Sequence, residues 1–474
     1  MTRSTPLPLR PRLADHVSAR RHRARNEDAW VLYDNRSGQA YRVGLREWGL
    51  LLHADGTRDL EGIIAAASRT GTLARVSALQ SFLEALHQAG LLADGVDRPA
   101  EPPPVRPPLP IDSWPNYRLS CDGLGSCCRL YSTIMVRPVE EARARGLLPL
   151  VFDSGDHPER LFAPLTGSAP CGASSFGFVD GRCVYLEADG RCALHAAGGP
   201  EGKPLGCRMF PALFVDDGQA VRVSAAIECA CVLASLDKPD EGELLVPNHV
   251  RSSDDLDPGI HITSLPETIA LTKKRRASRD ELVRWSRIVA ASSPPTNVPG
   301  AFLALAEAVE TWGLDLHAAT VAMASHRPVD PDAMRPAWIA LAERTQARLK
   351  IDGAWRSDND LAFRAIGWIH RAAKFVLTNP DEVERLCSAD RAVEAAKSEA
   401  FYLQAGAHGH HFVLGDAPLV QALRDRATRV VLARSVARVV SEDELRDEPA
   451  LRHPLALVEA TLRGHGLLVQ GVLL

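Results

Sequence analysis

Nine of the ten cysteines in this 474-residue chain fall between Cys121 and Cys231, and only Cys387 lies outside that stretch. A chain this long buries a core without covalent staples, so a dense group of thiols points to chemistry. A disulfide framework needs an oxidising compartment, whereas in a reducing one clustered thiols are more often metal ligands. The tightest group is "SCDGLGSCC", in which Cys121 precedes the adjacent pair Cys127-Cys128, with Gly123 and Gly125 between them. Neighbouring cysteines bridge each other only with strain, so the pair adds weight to metal binding. The glycines suit a loop that wraps tightly around an ion.

The other thiols follow in two segments. "DGRCVYLEADGRC" carries Cys183 and Cys192, each directly after an Asp-Gly turn, and "GCRMFP" with "IECAC" carries Cys207, Cys229 and Cys231. Turns leave backbone N–H groups available to thiolate sulfur. Cys121, Cys127, Cys128, Cys183, Cys192, Cys207, Cys229 and Cys231 are therefore the expected metal ligands, more than the four that one structural zinc needs. Two zinc ions or an iron–sulfur cluster, expected as 4Fe-4S, remain open. The adjacent pair leans toward the cluster, because both side chains must fold to the same side to share one ion. Cys171 sits in a Gly/Ser-rich loop and Cys387 reads as an ordinary helix cysteine. The spacing C-x3-C-x2-C of radical enzymes is absent. A structural metal knot without catalysis is the plainer alternative. His195, Arg208 and Glu228 are acid–base candidates only because they stand beside expected ligands. "HGHH" (His408, His410, His411) has metal-binding chemistry but no neighbouring carboxylate in sequence.

Around the cysteines the chain reads as α+β. Residues 1–15 are expected as a disordered tail. Residues 16–95 form a winged-helix-like module: "DAWVLYD" and "QAYRV" as strands joined at Asn35–Gly38, then three helices, the last with Leu79, Phe82, Leu83 and Leu86 at helical spacing and Gly90 as its stop. The Pro-rich stretch 96–115 reads as an extended linker. Residues 116–250 are expected as a loop-rich cysteine domain, with "PALFVDDGQAVRVS" as a β-hairpin, and 251–474 as an all-α domain. No Gly-rich phosphate loop and no serine nucleophile elbow occurs. The formal charge of −4 gives no general pull toward nucleic acid, and "SALQSFLEALHQAG" offers no Arg or Lys to phosphates. No apolar run reaches the roughly 18–20 residues of a membrane span, and the Arg-rich start lacks the apolar core of a secretory signal. Cytoplasm is the expected compartment, with neither membrane nor nucleic acid as partner.

The order Cys121…Cys127-Cys128, "CVYLEADGRC", "CRMFP", then Cys229 resembles the zinc- or iron-chelating cysteine-cluster proteins, and within them is similar to the flagellin lysine-N-methylase branch. The likeness covers about residues 116–235. It departs from the pattern in having three cysteines in the first group where four are common. It implies an iron–sulfur or zinc centre and methyl transfer from S-adenosylmethionine to a lysine nitrogen. The segment "WVLYDNRSGQAYRVGLREWGLLLHADGTRDLEGIIA…FLEALHQAGLL" resembles the peptide-recognition elements of ribosomal-peptide maturation, similar to the pyrroloquinoline-quinone precursor chaperone. That likeness implies a leader peptide added as a strand beside Gln39, Tyr41, Arg42 and Val43 and packed on Leu79 and Phe82 of the following helix.

Together these readings lead to an expected metalloenzyme that modifies a ribosomally synthesised precursor peptide. Peptide redox chemistry, a non-catalytic adaptor that delivers the peptide, and a metal-responsive regulator are the competing expectations.

Overall fold

The apolar run from Ala29 to Tyr33 becomes the middle strand of a three-stranded antiparallel sheet in the computed structural model. The structure describes residues 7–24, 27–34, 40–93, 107–121, 123, 125–130, 135–151, 162–164, 174–179, 181–257, 259–325, 329–353, 360–388, 393–464, 467–468 and 472–473. Two compact units result: residues 1–106, 131–208 and 351–363 form the first, and 107–130, 209–350 and 364–474 the second. Residues 116–250, expected as one cysteine domain, are thus shared between both units.

In the first unit the strands β1 (Val17–Ala24), β2 (Glu27–Asp34) and β3 (Ala40–Val43) lie in the order β1-β2-β3, with Trp30 opposite Val43 and Val31 opposite Arg42. Three helices follow, α1 (Leu45–Leu51), α2 (Leu60–Arg69) and α3 (Val76–Gln88). Asp59 caps α2 by accepting the Gly62 N–H at 2.8 Å. Gly90, at φ +71°, turns the chain after α3 as the sequence predicts. Trp30 stacks on Trp48 at 3.8 Å, and Leu79, Leu83 and Leu86 of α3 close the same core. Residues 7–15 are no loose tail. Leu13 is buried in this core, and the Ala14 N–H bonds the Leu91 carbonyl at 2.9 Å. Leu13, two positions after Pro11, found a place that only the folded sheet and helices create.

The same unit holds a second small sheet, in which Ser174–Phe176 lies between Met135–Val136 and Phe162–Pro164, and the helices Pro138–Val151 and Ala193–Gly202, which pack on each other. Phe162, Phe176 and Tyr185 form its aromatic core. The buried Glu140 carboxylate accepts from Arg137 and from the Leu205 N–H, both at 2.8 Å, which fixes the start of the short helix Leu205–Met209.

The second unit is built on the expected hairpin Ala212–Asp216/Val221–Ala225, turned at Asp217-Gly218. Parallel strands flank it: Ile262–Ser264 beside the first hairpin strand and Ile111–Ser113 beside the second. The end of the Pro-rich stretch is therefore not linker but a strand, since an extended backbone offers its N–H and C=O groups to a neighbour. Helices fill the rest, as the periodicity predicts, with one correction. "ETIALTKKRRAS" is a hairpin of Thr268–Ala270 and Arg276–Ser278, and the helix starts only at Arg279. Ser278 and Glu281 form a capping box there, a start signal present in the sequence but outweighed by the apolar spacing upstream. Leu419–Val439 is buried along most of its length and packs against Val298–Trp312 and Pro454–Gly464. Among the described residues no helix is long and apolar enough to cross a membrane.

Candidate metal centre

The nine described cysteines are thiols, and Cys171 lies outside the described residues. Cys121, Cys127, Cys128, Cys229 and Cys231 belong to the second unit, and Cys183, Cys192 and Cys207 to the first.

In the second unit the strand Val221–Ala225 runs into Cys229, which stands at the entry of the short helix Ala230–Ala234 carrying Cys231. Both are buried. Three hydrogen bonds tie the segment before Cys121 to this helix. The Tyr117 hydroxyl donates to the Val232 carbonyl at 3.0 Å, the Ser120 N–H to Ser235 Oγ at 2.9 Å, and Ser235 Oγ to the Cys231 carbonyl at 2.7 Å. Burial pushes the Tyr117 phenol up, and the neighbouring Cys229 and Cys231 add to it. Cys127 and Cys128 share the helix Ser126–Leu130, with their Sγ atoms 3.8 Å apart. Gly123 and Gly125 lead into it at φ +72° and +64°, a backbone that other residues rarely adopt. Arg129 anchors that helix to the buried Glu448 at 2.8 Å. Both short helices pack on Pro454–Gly464. Glu228, an acid–base candidate beside Cys229, is ion-paired to Arg463 of that helix, so its carboxylate is engaged in holding the thiol segment.

In the first unit Cys183 and Cys192 flank Tyr185. Burial raises the Tyr185 phenol, and both thiols are among its neighbours. Leu186 bridges Cys192, and Gly190 at φ +84° closes the tight turn between them, as the repeated Asp-Gly suggests. Cys207 is half-buried on Leu205–Met209. His195 is exposed on Ala193–Gly202, and Arg208 is ion-paired to Glu201.

The donor set suits a thiophilic ion. Two thiolates on one tetrahedral ion with bonds of about 2.3 Å stand about 3.8 Å apart, the separation of Cys127 and Cys128. On Ser126–Leu130 both sulfurs lie on one side of a helical turn, at a separation that ordinary sulfur–sulfur contact also gives. Among the described residues no group of three His, Cys, Asp or Glu side chains is closed into a coordination shell.

The "HGHH" turn serves another purpose. His408 Nε2 meets the Asp112 carbonyl at 3.1 Å, His410 Nε2 the Asp217 carboxylate at 3.4 Å, and His411 Nε2 the Ser224 Oγ at 2.6 Å. Three rings aimed at three partners clamp the end of Val393–His408 onto the sheet. The Ser224–His411 pair resembles a nucleophile and base, yet Ser224 is fully buried and Gly409 closes over it. A Cβ at Gly409 would stand 2.0 Å from the Ser224 Oγ. Only the fold brings Asp112, Asp217 and Ser224 to these histidines, so sequence spacing gave no signal of the clamp.

On the expected peptide-binding edge, β3 is an outer strand of its sheet. Arg42 is exposed, and Tyr41 and Phe82 are half-buried. The Val43 and Leu79 side chains, at 3% and 0% exposed, belong to the core, so Leu79 presents no surface to a peptide and Val43 only its backbone. Gln39 and the turn Asn35–Gly38 lie outside the described residues. No family model, curated protein or solved structure matches the chain.

Proposed function

We propose that this protein is a cysteine-ligated metalloenzyme that modifies a ribosomally made precursor peptide in a reducing, cytoplasmic setting. The observation that carries the reading is the anchoring of five cysteines in the second unit by Tyr117, Ser235, Glu228 and Arg129. Anchored thiols fit an ion better than loose ones, because ligands fixed by their neighbours lose less freedom on binding. The N-terminal module would take the leader along the open edge of β3, where backbone bonds give affinity. A leader held there raises the local concentration of the substrate tail.

The reaction implied by the family likeness is methyl transfer from S-adenosylmethionine to a lysine nitrogen, with S-adenosylhomocysteine and a proton as by-products. An iron–sulfur cluster, when bound, would supply Lewis acidity or electrons. Peptide redox chemistry is therefore the nearest rival reaction. The 3.8 Å between Cys127 and Cys128 favours a second reading, a zinc site in a non-catalytic adaptor.

The test is metal and acid-labile sulfide analysis on anaerobically purified protein, followed by mass spectrometry of a co-expressed precursor peptide. Iron with sulfide, and a peptide gaining 14 mass units per methyl group, as that chemistry requires, supports the enzyme. Zinc without sulfide and an unchanged peptide supports the adaptor. Absence of both metals overturns the reading.

A further inference from the structure

The stretch "TKKRRAS" sets four cations in succession, Lys273, Lys274, Arg275 and Arg276, in a chain whose formal net charge is −4. In the second unit they form the tip of the hairpin Thr268–Ala270/Arg276–Ser278 and the start of its return strand. Neighbouring like charges repel, yet the backbone holds these together. The Leu271 and Thr272 N–H groups both donate to the Arg275 carbonyl, at 2.9 and 3.1 Å. Thr272 Oγ1 accepts from the Lys274 and Arg275 N–H groups at 3.2 and 3.0 Å. The Val420 N–H bonds the Leu271 carbonyl at 3.1 Å and ties the tip to Leu419–Val439. Arg275 is engaged in the fold. It donates to the Thr311 carbonyl at 3.2 Å, at the C-terminal end of Val298–Trp312, where the helix dipole favours a cation. Its guanidinium also lies against Gly313, where an added Cβ would stand 2.7 Å away. Lys273, Lys274 and Arg276 are exposed and have neither ion pair nor side-chain hydrogen bond among the described residues. Trp312, directly before Gly313, is 67% exposed.

We propose that this basic tip docks a short acidic segment of a polypeptide, with an apolar side chain of that segment laid on Trp312; that the segment is part of the precursor rests on the peptide reading above. Charge complementarity selects an anion, because three fixed cations with no internal carboxylate are neutralised only from outside. The extent of the patch selects the class of anion. Its free charges fall within four consecutive residues, at most about 13 Å of chain. Carboxylates close it in, with Glu267, Asp280 and Glu281 at the base of the hairpin and Asp315 two positions beyond Gly313, all exposed. A nucleic-acid strand or an anionic bilayer would extend past the tip and meet those carboxylates. A cluster that reads anionic lipid also carries about 4–8 cations, more than the three free here. Three or four successive carboxylates on an extended peptide match the length of the tip. The flat indole face of Trp312 suits a leucine or aromatic side chain beside the acids.

The experiment titrates the full chain against a fluorescein-labelled decapeptide with four Asp and Glu residues followed by Leu-Phe, read by anisotropy. Beside it stand the same peptide with Asn and Gln in place of the acids, a labelled thymidine decamer, and phosphatidylserine vesicles. The acidic peptide should bind, and its affinity should fall at least fivefold between about 50 and about 250 mM salt, because the pairs are exposed to screening. Lys273→Glu combined with Lys274→Glu should weaken binding at least tenfold, and Trp312→Ala at least threefold. Hydrogen exchange at residues 271–276 should slow when the peptide is added. Should the charge-reversed variant melt early, Arg276→Gln takes its place with an expected loss of at least threefold. No binding, equal binding of the uncharged peptide, tighter binding of the decamer or the vesicles, or binding that survives these variants overturns the proposal. The mass of the precursor separates the two readings. Docking at the tip with a precursor that never changes mass sinks the enzyme and keeps the surface, and a modified precursor without docking does the reverse.

Discussion

Cys127 and Cys128 hold their sulfur atoms 3.8 Å apart on a single helical turn that Arg129 fastens to Glu448. If they share an ion, Cys127→Ser and Cys128→Ser should each lower bound metal at least tenfold, since a hydroxyl is a poor ligand for a thiophilic ion. Cys387→Ser, in a helix away from these segments in sequence, should leave metal content unchanged. Equal metal in all three variants would remove the pair from the ligand set.

Ser235 joins the strand that leads to Cys121 with the helix that carries Cys231. Ser235→Ala should cost about 1 kcal/mol, because it leaves the half-buried Ser120 N–H without its acceptor. It should also speed metal loss to a chelator without changing the metal bound at equilibrium by more than a few fold. Unaltered chelation kinetics in a folded variant would show that the tie does not hold the thiols.

His411 is half-buried, and its removal from water with Arg426 and Arg463 nearby pushes it down to about 3. Unfolded, it titrates at roughly 6.5. The folded state therefore binds its proton less readily than the unfolded state between these values, and stability falls as pH drops through that window. The slope from this residue alone approaches about 1.4 kcal/mol per pH unit. Melting curves at pH 7.5 and 4.5 should show His411→Gln losing about 2–3 kcal/mol less than the parent. Parallel losses in both proteins would mean that the ring is not held neutral.

Leu79 is wholly buried, whereas Phe82, one turn on, is only partly covered. Leu79→Ala should destabilise the N-terminal module by about 2–5 kcal/mol, and Phe82→Ala by about 1 kcal/mol or less. Hydrogen exchange along α3 measures both. If the peptide docks here, Phe82→Ala should weaken peptide binding in a module that remains folded.

The hairpin at Asp217-Gly218, the stop at Gly90 and most helices were legible in sequence. Each depends on spacing or on a turn residue whose backbone preference is local. The strand at Ile111–Ser113 and the buried Leu13 were not, because an extended segment becomes a strand only when a neighbour offers unpaired backbone groups. Leu79 and Phe82 look alike in a helical pattern, and only packing distinguished the core residue from the half-covered one. The division of eight expected ligands into five and three belongs to tertiary structure as well, since the chain leaves and re-enters each unit. What the sequence by itself determined was therefore the kinds of residue and the local turns that present them. Which thiols share a unit, and which histidines hold a sheet instead of an ion, was decided by contacts between segments up to 319 positions apart, which no local propensity encodes.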